Sequence, residues 1–289
     1  MTNAAAIVAA LLVHGAAALC DEECPEMVSL LQTSSPRVAP QKNLAMVYVP
    51  FNFGHTVSEK AASLGIYWGD CGSREPVEGC LGYMKSDVTG CDLMYTPGKL
   101  WPAELAKVYF GNRTTFGILR DPFERMVAQF RGTYRLKHPE LGCDLNRGIK
   151  MMMQEYLAAV GSGNPFTENC NYLPQAEFFD DPFGAHEAVD NRLFPKSANE
   201  LFSSHGLPLQ IATEEISHVE GCEDKWAGDL DNEAKGMIRK VYQRDFDLIC
   251  QRFGYCDLDE ATCLQGVPTM CPEALFEWDE RAKMYVPRS

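Results

Sequence analysis

The most constraining feature is a pair of strand–loop–helix signatures set seventy residues apart. The later one is the cleaner. Thr114-Thr115-Phe116-Gly117-Ile118-Leu119 is a β-prone apolar run that stops at Arg120-Asp121-Pro122. Asp121 suits a helix N-cap and Pro122 suits the first helical position. Phe123, Met126, Val127, Phe130 and Tyr134 then recur at helical spacing. The earlier signature begins with Leu44-Ala45-Met46-Val47-Tyr48-Val49, a buried-strand pattern ending at Pro50. After Phe51-Asn52-Phe53-Gly54-His55, a helix is predicted over 56–64, with Thr56 as N-cap and Glu59 as its capping-box partner. Each signature sends a strand into a helix start, the arrangement of an α/β fold on a mainly parallel sheet.

The rest of the chain extends this pattern. Residues 65–100 are rich in Gly and Cys and read as a cross-linked loop region. A Met-rich helix is predicted over 148–160, a strand over 207–212 and one long helix over 232–253. The tail from 256 to 289 is acidic and carries Cys256, Cys263 and Cys271.

Twelve cysteines in 289 residues are many for a reducing compartment. They include no C-x-x-C, so a zinc or thioredoxin-like site is disfavoured and disulfides are expected. The N-terminus agrees. Ala4 to Leu19 is an uncharged apolar run, short for a spanning helix, with small residues at Ala16 and Ala18 and acids from Asp21. Residues 1–18 therefore read as a signal peptide or, alternatively, an uncleaved signal anchor. A polar linker follows over 19–43. Asn112-Arg113-Thr114 is a glycosylation sequon. The expected location is the secretory pathway, in the Golgi lumen or outside the cell.

Charge narrows the partners. Twenty-six basic and 40 acidic residues give a net charge of −14, which argues against nucleic acid as a partner. Six basic residues between Arg113 and Lys137 face only Asp121 and Glu124, a local excess that suits anion binding. A loop feeding a helix start adds free N–H groups and partial positive charge, the elements of a phosphate site. No G-x-x-x-x-G-K-[ST] is present, so this is not an ordinary nucleotide P-loop.

These segments resemble the Golgi carbohydrate sulfotransferases. Residues 115–127 resemble that family's second nucleotide motif, roughly F-x-x-V-R-D-P-x-E-R-L-V-S. Val47-Tyr48-Val49-Pro50 followed by Gly54-His55-Thr56 resembles its first, roughly H-x-P-K-T-G-S-T. Asn171-Tyr172-Leu173-Pro174-Gln175 lies where the family often carries a short P-Q or T-Q segment. Tyr242 to Asp247, with Phe253-Gly254-Tyr255, is similar to its closing helix. The resemblance spans residues 44–255. It implies a P-loop-like three-layer sandwich that moves a sulfuryl group from 3′-phosphoadenosine 5′-phosphosulfate (PAPS) to a hydroxyl of a glycan or glycoconjugate, with no metal. Asn52, Phe53, Gly54, His55, Thr56 and Val57 would cradle the phosphosulfate, and Arg120 and the position of Ala128 would meet the 3′-phosphate. Tyr242 and Asp245 would be structural.

Two departures stand out. Phe51 replaces the Lys that follows the family's Pro, and Ala128 replaces the Ser that ends its second motif. His55 is the donor available in place of the Lys, and is the candidate catalytic residue. Glu59, His138 and His186 are the candidate bases. The alternative implied is a weak or inactive nucleotide- or glycan-binding protein on the same fold. The overall acidity favours a neutral or lightly charged acceptor over a heavily sulfated one.

Overall fold

The computed structural model describes residues 43–69, 79–217, 221–256, 276–281 and 284–287. The proposed leader at 1–18, the apolar run at 4–19 and nearly all of the 19–43 linker lie outside them, as do Cys20, Cys24, Cys71, Cys263 and Cys271. Among the described residues, no helix is long and apolar enough to cross a membrane.

The centre is a three-stranded parallel sheet: β1 (Leu44–Met46), β2 (Thr114–Leu119) and β3 (Glu187–Asp190), in the order β1-β2-β3. Leu44 pairs with Thr114, and Leu119 pairs with Asp190. The chain beyond β1 stays extended, with Val47 N donating to Phe116 O at 2.7 Å. All six residues from Leu44 to Val49 are buried, as the apolar run requires. β3 carries no strand signature in the sequence, whereas the segment expected as a strand over 207–212 lies outside the sheet, with Leu207, Leu209 and Ile211 buried and Pro208 and Gln210 exposed. Glu187-Ala188-Val189-Asp190 is short and half polar; its pairing with β2, rather than its own pattern, makes it a strand.

The helices are α1 (Gly54–Ser63), α2 (Ala103–Phe110), α3 (Pro122–Gln129), α4 (Arg135–Lys137), α5 (Leu145–Gly161), α6 (Lys196–Ser204), α7 (Asn232–Val241) and α8 (Gln243–Phe253). Two hydrophobic clusters pack around the sheet. Phe116 and Ile118 join β1, α1, Trp68 and Phe202 in one. Leu119, α3, α5, α7 and α8 form the other.

Two expected helices are interrupted. The one starting at Pro122 passes through a π-turn, Phe130–Tyr134, before α4. The one expected over 232–253 breaks at Tyr242, which is fully buried and donates its hydroxyl to Tyr172 O at 3.0 Å. A hairpin of β4 (Phe276–Asp279) and β5 (Met284–Pro287) lies in the acidic tail.

Disulfides join Cys91 to Cys170, Cys143 to Cys222 and Cys250 to Cys256, as expected of a chain folded in an oxidising secretory or extracellular environment.

Candidate active site

A cavity of about 430 Å³ opens where β1 and β2 deliver their C-terminal ends. That edge of a parallel sheet is where α/β proteins commonly hold ligands. It is lined by Pro50, Phe51 and Phe53 of the loop, the first turns of α1, Arg120, Ala128, Arg131 and Thr133, together with Tyr48, Tyr95, Asn171 and Ser217.

The loop between β1 and α1 is held from behind. Phe51 and Phe53 both adopt left-handed backbone, at φ 63° and 59°. Such geometry costs a non-glycine residue about 1–3 kcal/mol. Arginines fix it there. Arg125, fully buried, donates through Nε to Pro50 O at 3.2 Å and through Nη2 to Asn171 O at 2.8 Å. Arg120 donates through Nη1 to Phe51 O at 2.8 Å, with its guanidinium 5.1 Å from the centre of the Phe53 ring. The Phe53 ring stacks on Phe194 at 4.9 Å. Gly54 is required for another reason: a Cβ there would lie 2.5 Å from the Tyr48 ring.

A second layer locks this arrangement. Asn52 Nδ2 donates to Ile118 O at 2.7 Å and to Gln175 Oε1 at 2.5 Å. Gln175 also clasps the backbone of Arg120, accepting from its N and donating to its O. Asp245 accepts from the backbone N of Gln175 and of Ala176, each at 2.9 Å. The segments at 171–175 and 242–247 thus meet beneath the loop, with Asp245 supporting it as a structural residue.

The expected site residues divide into two groups. Gly54, His55, Thr56, Phe53, Arg120 and Ala128 line the cavity. Asn52 and Val57 do not; both are buried, Asn52 in the network above and Val57 in the core behind α1. Thr56 does not cap α1. The helix starts at Gly54 with Phe53 in the N-cap position and no side-chain cap, while Thr56 Oγ1 accepts from Ser217 N at 3.1 Å. That leaves the threonine proton available for donation. Of the candidate bases, Glu59 lines the cavity. His138 stacks on Tyr134 and contacts Glu140, while His186 bonds Thr115 at 2.6 Å near the other end of β2.

Several lining residues escaped the sequence reading. Tyr95 sits in the cysteine-rich stretch, with no periodicity to mark it. It is 3.4 Å from His55 Nε2 and edge-on to Tyr48. Arg131 belongs to the basic cluster but is brought to the cavity by the π-turn. Such turns insert an extra residue and are frequent at functional sites. Here Phe130 and Tyr134 stay buried while Arg131 and Thr133 face the cavity. Gly148 of α5 makes room for the turn, since a Cβ would lie 2.2 Å from the Phe130 ring.

The two long disulfides back the cavity wall. Cys91 lies four residues before Tyr95 and bonds Cys170, the neighbour of Asn171. Cys143 bonds Cys222, next to Gly221, whose carbonyl accepts from Arg131 Nε at 3.1 Å.

The electrostatics favour an anion. Arg120 is 4 % exposed, and burial pushes it down to about 10. Its nearest carboxylate is Glu124 Oε2 at 3.9 Å, and its Nε has no hydrogen-bond partner. Burial pushes Glu124 up to about 7 against the pull of Arg120. Arg131 is also held below its ordinary value by burial. Among the described residues no lysine lines the cavity; Lys60, at the far end of α1, pairs with Glu215. Comparison with family models, curated proteins and solved structures gives no match for this chain.

Proposed function

We propose that this protein is a PAPS-dependent sulfotransferase of the secretory pathway, with a P-loop-like three-layer fold, acting on a hydroxyl of a neutral or lightly charged glycan. One observation carries the reading. An uncapped helix start and a desolvated arginine converge on one cavity at the C-terminal edge of a parallel sheet. The first turn of α1 supplies N–H groups and positive dipole for the phosphosulfate, with Thr56 donating its hydroxyl proton. Arg120 and Arg131 take the 3′-phosphate through charge-assisted bonds. Glu59 removes the acceptor proton as the acceptor oxygen attacks sulfur. The sulfur–oxygen bond to the phosphate breaks in line, and His55 neutralises charge on the departing oxygen. Adenosine 3′,5′-bisphosphate leaves.

A second reading has its own support. Phe51 stands where the resembling family has its lysine, and among the described residues no lysine lines the cavity. Loss of such a donor costs about 3 kcal/mol of transition-state stabilisation. The same site would then bind nucleotide or glycan with weak transfer or none.

Calorimetry of the purified chain with adenosine 3′,5′-bisphosphate, together with sulfate transfer from labelled PAPS to a glycan panel, separates these readings. Binding with transfer supports the first; binding without transfer supports the second. Arg120→Ala and Arg131→Ala should each weaken binding by about tenfold or more, the worth of a charge-assisted bond. An absence of binding overturns both.

A further inference from the structure

We infer that Asn112 carries an N-linked glycan at the end of the sheet opposite the cavity. Asn112-Arg113-Thr114 is the only N-x-Ser/Thr sequence in the 289 residues, and the intervening residue is not proline. A three-residue match alone is weak, and its placement supplies the rest. Asn112 is exposed in the turn that leaves α2 and enters β2. Gly111 makes that turn with φ 51°, and Arg113 N closes it onto Phe110 O at 3.0 Å. Surface turns of this kind tolerate a bulky, solvated group.

Thr114, the residue the transferase must recognise with Asn112, is the first residue of β2 and is half-buried. In the folded protein Thr114 N donates to Asn43 O. Attachment therefore belongs to the nascent chain, before β1 pairs with β2. This ordering suits a protein whose disulfides also need an oxidising compartment.

The location has a functional meaning. The six residues of β2, Thr114–Leu119, carry the chain to Arg120, a span of about 20 Å at roughly 3.3 Å per residue. A glycan at Asn112 projects from the N-terminal edge of the parallel sheet, while the cavity opens at the C-terminal edge. It leaves the cavity mouth clear.

The test expresses the full chain, with its own residues 1–18, in a eukaryotic host. Treatment with peptide N-glycosidase F should lower the apparent mass in a single step and leave an aspartate at that position in the peptide map. Asn112→Gln and Thr114→Ala should abolish the step, and Thr114→Ser should retain it. The enzyme should act as completely on the folded protein as after denaturation. No step in the wild-type chain overturns the site. A glycan released only after denaturation overturns its exposed placement. If Asn112→Gln fails to fold, the wild-type peptide map and Thr114→Ser still decide the matter.

Discussion

The two strand–loop–helix units share a topology and treat their helix starts in opposite ways. The unit of β2 and α3 is self-satisfied. Asp121 Oδ1 accepts from Phe123 N at 2.8 Å, Pro122 removes one donor, and Asp121 Oδ2 meets Arg192 at 3.3 Å. The unit of β1 and α1 has no side-chain cap, and its loop is held in left-handed backbone by arginines from the other unit. The first unit therefore turns an electropositive helix start toward the cavity, and the second supplies the clamp. A capped start is a structural joint; an uncapped one beside a cavity leaves its N–H groups free for an anion.

Breaking the clamp should have the largest effect. Arg125→Ala leaves two loop-side carbonyls and the buried Asp245 carboxylate without their cation, and should cost about 3–5 kcal/mol in chemical denaturation. A loss below about 1 kcal/mol would show that the loop holds itself. Gly54→Ala forces a methyl against the Tyr48 ring; the expected cost is about 1–3 kcal/mol, with weaker binding of the bisphosphate at the reshaped cavity.

The caps should then separate the two units. Asp121→Ala should cost about 1–2 kcal/mol through the lost cap, visible as a lower urea midpoint. Thr56→Ala removes one hydrogen bond and no cap, so it should cost less than about 1 kcal/mol while still weakening bisphosphate binding. Equal losses would erase the distinction.

The last comparison varies pH and bears on the buried carboxylate of the clamp helix. Burial raises Glu124 from its ordinary 4.5 to about 7 in the fold. The folded state then holds a proton that the unfolded chain releases, so this contribution is complete below pH 4.5 and is lost as pH rises through 7. Unfolding of wild type and Glu124→Gln, compared across that interval, should show wild type losing stability relative to the variant as pH increases. A parallel pair of curves would place Glu124 at its ordinary value.

Much of the clamp was legible because it rests on short-range chemistry. Asp121-Pro122 announced a capped helix, and the run from Leu44 to Val49 announced a buried strand. Residues 171–175 and 242–247 were recognised as segments, but not that Gln175 and Asp245 would join them under the loop, since that contact spans seventy residues. Thr56-Val57-Ser58-Glu59 read as a capping box, yet the helix begins two residues earlier because Gly54 can pack against Tyr48. Arg131 and Tyr95 were invisible as lining residues: one depends on a π-turn, the other on a disulfide. Neither leaves a periodic trace.

The two long disulfides have a further consequence for this wall. Cys91–Cys170 and Cys143–Cys222 each join positions 79 apart in the sequence, and their spans overlap between 143 and 170. A single backbone cut anywhere between Cys91 and Cys222 therefore falls inside at least one closed loop. The two pieces stay covalently joined until reductant is added, so a protein nicked by an extracellular protease in its α2–α6 region would still travel as one molecule.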